Sequence, residues 1–97
     1  MESQIIINEH AYERAKKRMG LSKKAAKRLA EKAYSFGIKH KDTHGQLQRY
    51  FDKIFLSHKT STETRVYGEF VYIFNENTLI TILNLDNKLK KIINDFS

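Results

Sequence analysis

The run Phe70-Val71-Tyr72-Ile73-Phe74 constrains the fold more than any other part of the chain. Consecutive large apolar residues leave a strand no polar face to turn toward water. Such a strand belongs inside a sheet, with cover on both sides. Asn75-Glu76-Asn77 supplies turn chemistry, and Thr78 to Leu85 reads as the returning strand, so an antiparallel hairpin is expected. Upstream, the same strand extends back to Thr64, with Gly68 as a place for a bend. Thr81 interrupts the apolar run Leu79-Ile80-Thr81-Ile82-Leu83. A buried threonine needs a hydrogen-bond partner, although a β-branched residue is also ordinary in a strand.

The cover has to come from helices. Residues 44–57 place Leu47, Tyr50, Phe51, Ile54 and Phe55 at i, i+3, i+4, i+7 and i+8, which is a core-facing helix with Thr43 as its cap. Residues 9–19 form a helix capped by Asn8, with Tyr12, Ala15 and Met19 on one face and Gly20 to end it. Ser22 caps a second helix that Gly37 ends. Its stripe is Ala25, Ala26, Leu29, Ala30 and Ala33, with Phe36 in the same arc. Alanines at these positions imply close packing. Ile5 to Ile7 is a first strand, Ile38 to Asp42 a connection, and Lys59 to Glu63 a polar loop. Asp86 caps a short amphipathic closing helix built on Leu89, Ile92, Ile93 and Phe96. The expectation is a single α+β domain over residues 1–97: an N-terminal strand and three helices packed on an antiparallel hairpin or small sheet, then the closing helix.

Charge is distributed unevenly. Residues 11–41 carry eleven lysines and arginines against Glu13 and Glu31, whereas residues 42–87 carry four against six acids. A block of this kind suits an anionic partner, and a solvated helix surface is the bland alternative. The second helix concentrates Lys23, Lys24, Lys27 and Arg28 opposite its alanines. Two short helices separated by Gly20 also permit a helix-turn-helix, with this one as the recognition helix, but the strands that follow argue against it. A membrane-surface helix would carry Leu, Phe or Trp where this one carries alanine. With no cysteine, no basic N-terminal flank and no long apolar run, neither a leader nor a membrane span is expected, and a reducing cytoplasm fits.

On the polar face of the first helix, His10, Arg14 and Arg18 recur every four residues and point one way. A histidine moves protons near neutral pH, and arginine grips phosphate oxygens. The alternative is an ordinary charged surface. Ser57-His58-Lys59-Thr60-Ser61-Thr62 gathers a second polar cluster between the core helix and the strands, able to bind a phosphate or small anion but read slightly better as a plain polar loop with Ser/Thr turns. His40 and His44 stand four apart, but His40 precedes the helix and no third ligand is evident, so no metal is expected. No cofactor-binding motif is present.

The opening Ile7-Asn8-Glu9-His10-Ala11-Tyr12-Glu13-Arg14, with the late pair Val71-Tyr72-Ile73-Phe74 and Leu79-Ile80-Thr81-Ile82, resembles small proteins of the RelE/colicin-type ribonuclease superfamily. The chain as a whole also looks like short proteins carried by phages and other mobile elements. The resemblance implies N-terminal helices packed on an antiparallel sheet and RNA cleavage, often without metal. It nominates His10, Arg14 and Thr81 as site residues. Residues 22–57 depart from the compact pattern of that superfamily. Cleavage would proceed by attack of a ribose 2′-hydroxyl on the adjacent phosphate. His10 or His58 would transfer the proton, and Arg14 with Lys59 would stabilise the charge.

The expected partner is nucleic acid, RNA ahead of DNA, bound through Arg14, Arg18, Lys23, Lys24, Lys27, Arg28 and Lys59. A protein-binding inhibitor of the anti-defence type, docking its basic face on an acidic protein, is the alternative. A homodimer with a seam at Tyr50, Tyr72 or the closing helix is a third.

Overall fold

The computed structural model describes residues 5–58 and 62–94. Its order is β1 (Ile6–Ile7), α1 (Glu9–Met19), α2 (Lys23–Phe36), β2 (Ile38–Lys39), a 3-10 turn (His40–Asp42), α3 (Gly45–His58), β3 (Thr62–Tyr67), β4 (Phe70–Asn75), β5 (Thr78–Asn84) and α4 (Asn87–Asn94). The strands form one five-stranded sheet in the order β1-β5-β4-β3-β2. β2, β3, β4 and β5 run antiparallel in turn, and β1 closes the far edge parallel to β5. The fold is α+β, with helices on both faces of the sheet.

Strand β4 has the covered, central position that its apolar run demands. Successive side chains alternate between faces. Tyr72 and Phe74 enter one core with Leu79 and Ile82, under Ala11 and Ala15 of α1 and Ala26, Ala30 and Ala33 of α2. Val71 and Ile73 enter the other with Val66, Leu85 and Leu89, under Leu47, Phe51 and Ile54 of α3. Small residues on α1 and α2 bring those helices close to the sheet, while α3 fills its side with larger groups.

The caps follow from the local sequence. The Asn8 side chain accepts from the Ala11 amide at 2.9 Å, and the Ser22 hydroxyl from the Ala25 amide at 3.2 Å. Gly20 ends α1 at φ 67°, where its amide donates to the Lys16 carbonyl at 3.0 Å and the Leu21 amide to Ala15 at 3.3 Å. At the start of α4 the Asp86 carboxylate accepts from the Lys88 amide at 2.8 Å.

Several expectations need correcting. The single strand from Thr64 to Phe74 is two strands, β3 and β4, folded back at Gly68, whose φ is 62°. The hairpin is thus part of a three-stranded meander. The connection from Ile38 to Asp42 contains an edge strand, β2, paired with Arg65 and Val66. Of the loop expected over Lys59 to Glu63, Thr62 and Glu63 belong to β3, and Lys59, Thr60 and Ser61 lie outside the described residues. The Thr43 hydroxyl donates to the His40 carbonyl at 2.6 Å, which closes the 3-10 turn. Phe36 stands in solvent, 76% exposed, although Ala33 and Gly37 beside it are buried, so the covered side of α2 is narrower than its apolar arc; Phe55 is also exposed, at 47%. Gly37 ends α2 for a steric reason and not through a left-handed backbone. A Cβ there would stand 2.5 Å from the Ala33 carbonyl oxygen and 2.9 Å from Arg65 Cβ.

Candidate functional site

Helices α1 and α2 form a hairpin lying on one face of the sheet, with their alanine stripes turned inward. The same periodicity forces the charged positions outward. Lys16 and Lys17 of α1 and Lys23, Lys24, Lys27, Arg28 and Lys32 of α2 are all exposed, while Arg14 and Arg18 are partly covered. One ion pair forms on this surface among the described residues, Lys23 to Glu9 at 3.9 Å. Lys23 also lies over the Tyr12 ring, 5.1 Å from its centroid. The remaining cations of the α2 cluster have no carboxylate within salt-bridge reach among the described residues. Lys23 and Lys27, four residues apart, are separated by about 6 Å along the axis. The outer face of the hairpin is a ridge of positive charge, and a ridge suits an extended polyanion better than a small ligand.

The nominated side chains fall into separate places. His10 and Arg14 are neighbours on α1, with Arg14 Nε donating to His10 Nε2 at 3.4 Å. They line a shallow depression with Glu13, Lys17 and Arg18, all from the one helix. Among the described residues no second element brings a group over it, so the surface that would hold a reacting phosphate has no opposing wall there. Thr81 pairs with Ile73, next to the bulge that Ile80 makes opposite the Ile73–Phe74 step. Opposed residues of an antiparallel pair share a face, and Ile73 faces α3. The sheet therefore stands between Thr81 and the α1 face. His58 ends α3, in the layer opposite α1, and Lys59 lies outside the described residues. The histidine-arginine pair is thus one local cluster, and Thr81 and His58 belong to the other side of the molecule. Of the proposed seam residues, Tyr72 lies in the core under α1 and α2 and offers too little surface to form the seam of a dimer.

A second cluster, not apparent in the sequence, lies at the β2 edge. Lys39, His40 and Lys41 border a cleft with Phe55, Thr64 and Arg65. His40 Nε2 and Asp52 Oδ1 are 2.5 Å apart, and the imidazole leans on the Phe51 and Phe55 rings. This contact pins the 3-10 turn to α3. Arg65 is only 8% exposed. Its guanidinium donates to Glu63 Oε2 at 2.7 Å, to the Tyr34 carbonyl at 3.3 Å and to the Thr64 carbonyl at 3.4 Å, and lies over the Tyr34 ring. Three acceptors and an aromatic face hold this buried charge, so Arg65 fastens α2 to β3. No spacing signal announces these contacts, since Tyr34 and Arg65 are 31 residues apart.

Among the described residues no three histidine or acidic side chains are grouped to hold a metal ion, and no helix is long and apolar enough to cross a membrane. No protein-family model, curated protein or solved structure matches the chain.

Proposed function

We propose that this protein is a nucleic-acid-binding module that lays the outer face of its α1–α2 hairpin along a phosphate backbone, with RNA the polymer expected first and the cytoplasm the compartment. The observation that carries the reading is the exposed cluster Lys24, Lys27 and Arg28 beside Lys23, with no ion pair to Lys24, Lys27 or Arg28 among the described residues. Such cations gain by displacing the counterions condensed on a polyanion. Arg14 and Arg18 extend the ridge onto α1. Binding is favoured over cleavage, because His10 and Arg14 lie on an open helix face and Thr81 lies across the sheet from them.

The test is a titration of labelled RNA and duplex DNA at several salt concentrations, read by retardation on a native gel. With four phosphates engaged on a single strand, log K should fall against log salt with a slope of roughly −3. Lys24→Ala with Lys27→Ala should flatten that slope by about 1.4 for single strands. Binding that is absent even at low salt would overturn the proposal and turn attention to an acidic protein partner.

A further inference from the structure

At the turn of the basic hairpin, the chain leaves an apolar cleft of about 270 Å³. Met19 and Leu21 from the α1–α2 turn and Leu29 of α2 make one wall; Tyr67, Phe70 and Tyr72 make the other. The Gly68–Glu69 turn closes its end, and the Glu69 carboxylate is engaged by Lys90 at 3.6 Å. Tyr67 and Phe70 are half-buried, so part of each ring remains accessible.

Tyr72 separates this cleft from a simple packing gap. It is 1% exposed, and its hydroxyl has no hydrogen-bond partner among the described residues. A buried phenol ordinarily finds a partner, and a gap left by imperfect packing is wholly apolar. Here a residue whose polar group needs a partner lines a cleft with walls that are mostly aromatic and aliphatic. The surroundings supply the positive charge that would complement the phosphates of an anionic ligand. Arg18 directly precedes Met19 and Arg28 directly precedes Leu29, so two cations of the ridge adjoin wall residues.

We infer that this cleft receives an unpaired nucleobase of a single strand whose phosphates lie on the α1–α2 ridge, the base packing against Tyr67 and Phe70 and meeting the Tyr72 hydroxyl with one polar edge. The inference rests on the nucleic-acid reading above and makes it specific: the protein prefers single strands, because a paired base cannot leave its stack to enter the cleft without a cost. Sequence preference is modest, since every base has a face to stack and one hydroxyl gives little discrimination.

The experiment compares a single-stranded oligoribonucleotide, an oligodeoxynucleotide of the same sequence and an RNA duplex of equal length. Each is titrated against the native protein, Tyr67→Ala and Tyr72→Phe, with circular dichroism confirming that the variants are folded. Native protein should bind both single strands more tightly than the duplex. Tyr67→Ala should weaken single-strand binding at least about fivefold, with duplex binding and the salt slope unchanged. Tyr72→Phe, which keeps the ring, should lose a smaller factor that varies with the base presented. If Tyr67→Ala binds single strands as the native protein does, or loses equally on the duplex, the base cleft is wrong while the phosphate ridge stands. If no form of nucleic acid is bound at low salt, both fall together.

Discussion

Replacing Gly37 by alanine tests the way α2 is joined to the sheet. At an unstrained position this exchange stabilises a protein by about 0.4–1 kcal/mol, because alanine has less unfolded-state freedom to lose. The φ of Gly37, −67°, suits any residue, so conformation alone predicts a gain. Space predicts the reverse. The new Cβ would stand 2.5 Å from the Ala33 carbonyl oxygen, 2.9 Å from Arg65 Cβ and 3.3 Å from the Val66 carbonyl oxygen. Two of the three neighbours are backbone and cannot rotate away. Relief requires the last turn of α2 to open at the Ala33 carbonyl and α2 to move off β3 by several tenths of an ångström, which stretches the 3.3 Å bond from Arg65 to the Tyr34 carbonyl. Overpacking of this kind costs about 1–3 kcal/mol, and the net effect should be a loss. For a chain of this size, each kcal/mol lowers Tm by about 4–8 °C. Thermal and urea unfolding followed by circular dichroism reads the difference. Gly20→Ala is the control, since nothing lies within 4 Å of a Cβ there and its φ of 67° alone carries the penalty, about 1–2 kcal/mol. A Gly37→Ala protein as stable as the native one would refute the reasoning.

Two other perturbations follow from the hairpin and the buried phenols. Glu76 turns the β4–β5 hairpin at φ 57°, a conformation that costs most L residues about 1–2 kcal/mol. Glu76→Gly should therefore raise the urea midpoint, and a lowered midpoint would show that the Glu76 side chain contributes more than its backbone strain. Burial pushes the Tyr72 hydroxyl well above the ordinary tyrosine range, with Tyr67 adding to it; burial, then the Asp86 carboxylate, raises Tyr50 in the same direction. A raised folded-state value favours the protonated form in the native protein. The associated stability is present below the unfolded tyrosine value of about 10 and declines as pH rises beyond it. Unfolding free energies should fall above about pH 10, and Tyr72→Phe should lessen that fall; an identical decline in the variant would exclude Tyr72 as a source.

The sequence made some features plain and hid others, for physical reasons. β4 and β5 were legible because an all-apolar run can survive only where both faces are covered. The caps at Asn8, Ser22 and Asp86 and the end at Gly20 were legible because each depends on chemistry within a few residues. β2 was hidden because two residues have no period, and its status as a strand comes from Arg65 and Val66 beyond the whole of α3. The split between β3 and β4 was hidden because β-branched and aromatic residues flank Gly68 on both sides, as they would in one long strand. Phe36 and Phe55 were assigned to cores by angle alone, yet an apolar arc does not say how far around the helix its cover reaches. The outward placement of Lys23, Lys24, Lys27 and Arg28 followed from helical spacing. The separation of His10 and Arg14 from Thr81 did not, because it depends on which face of the sheet each helix takes, and the bulge at Ile80 adds to the difficulty. His40 with Asp52, and Arg65 with Tyr34, are tertiary meetings that no local pattern encodes.

The parallel pairing of β1 with β5 has a consequence for biosynthesis. The basic hairpin is made before much of its apolar support, Tyr72, Phe74, Leu79 and Ile82, which follows α3 in the chain. A nascent chain therefore presents its positive segment to the ribosome, itself a polyanion, before there is a sheet to dock it on. Folding must wait for contacts of long sequence separation, which slows it. Shortening β5 would release α1 as well, so damage near the C-terminal end should be felt first at the N-terminal surface.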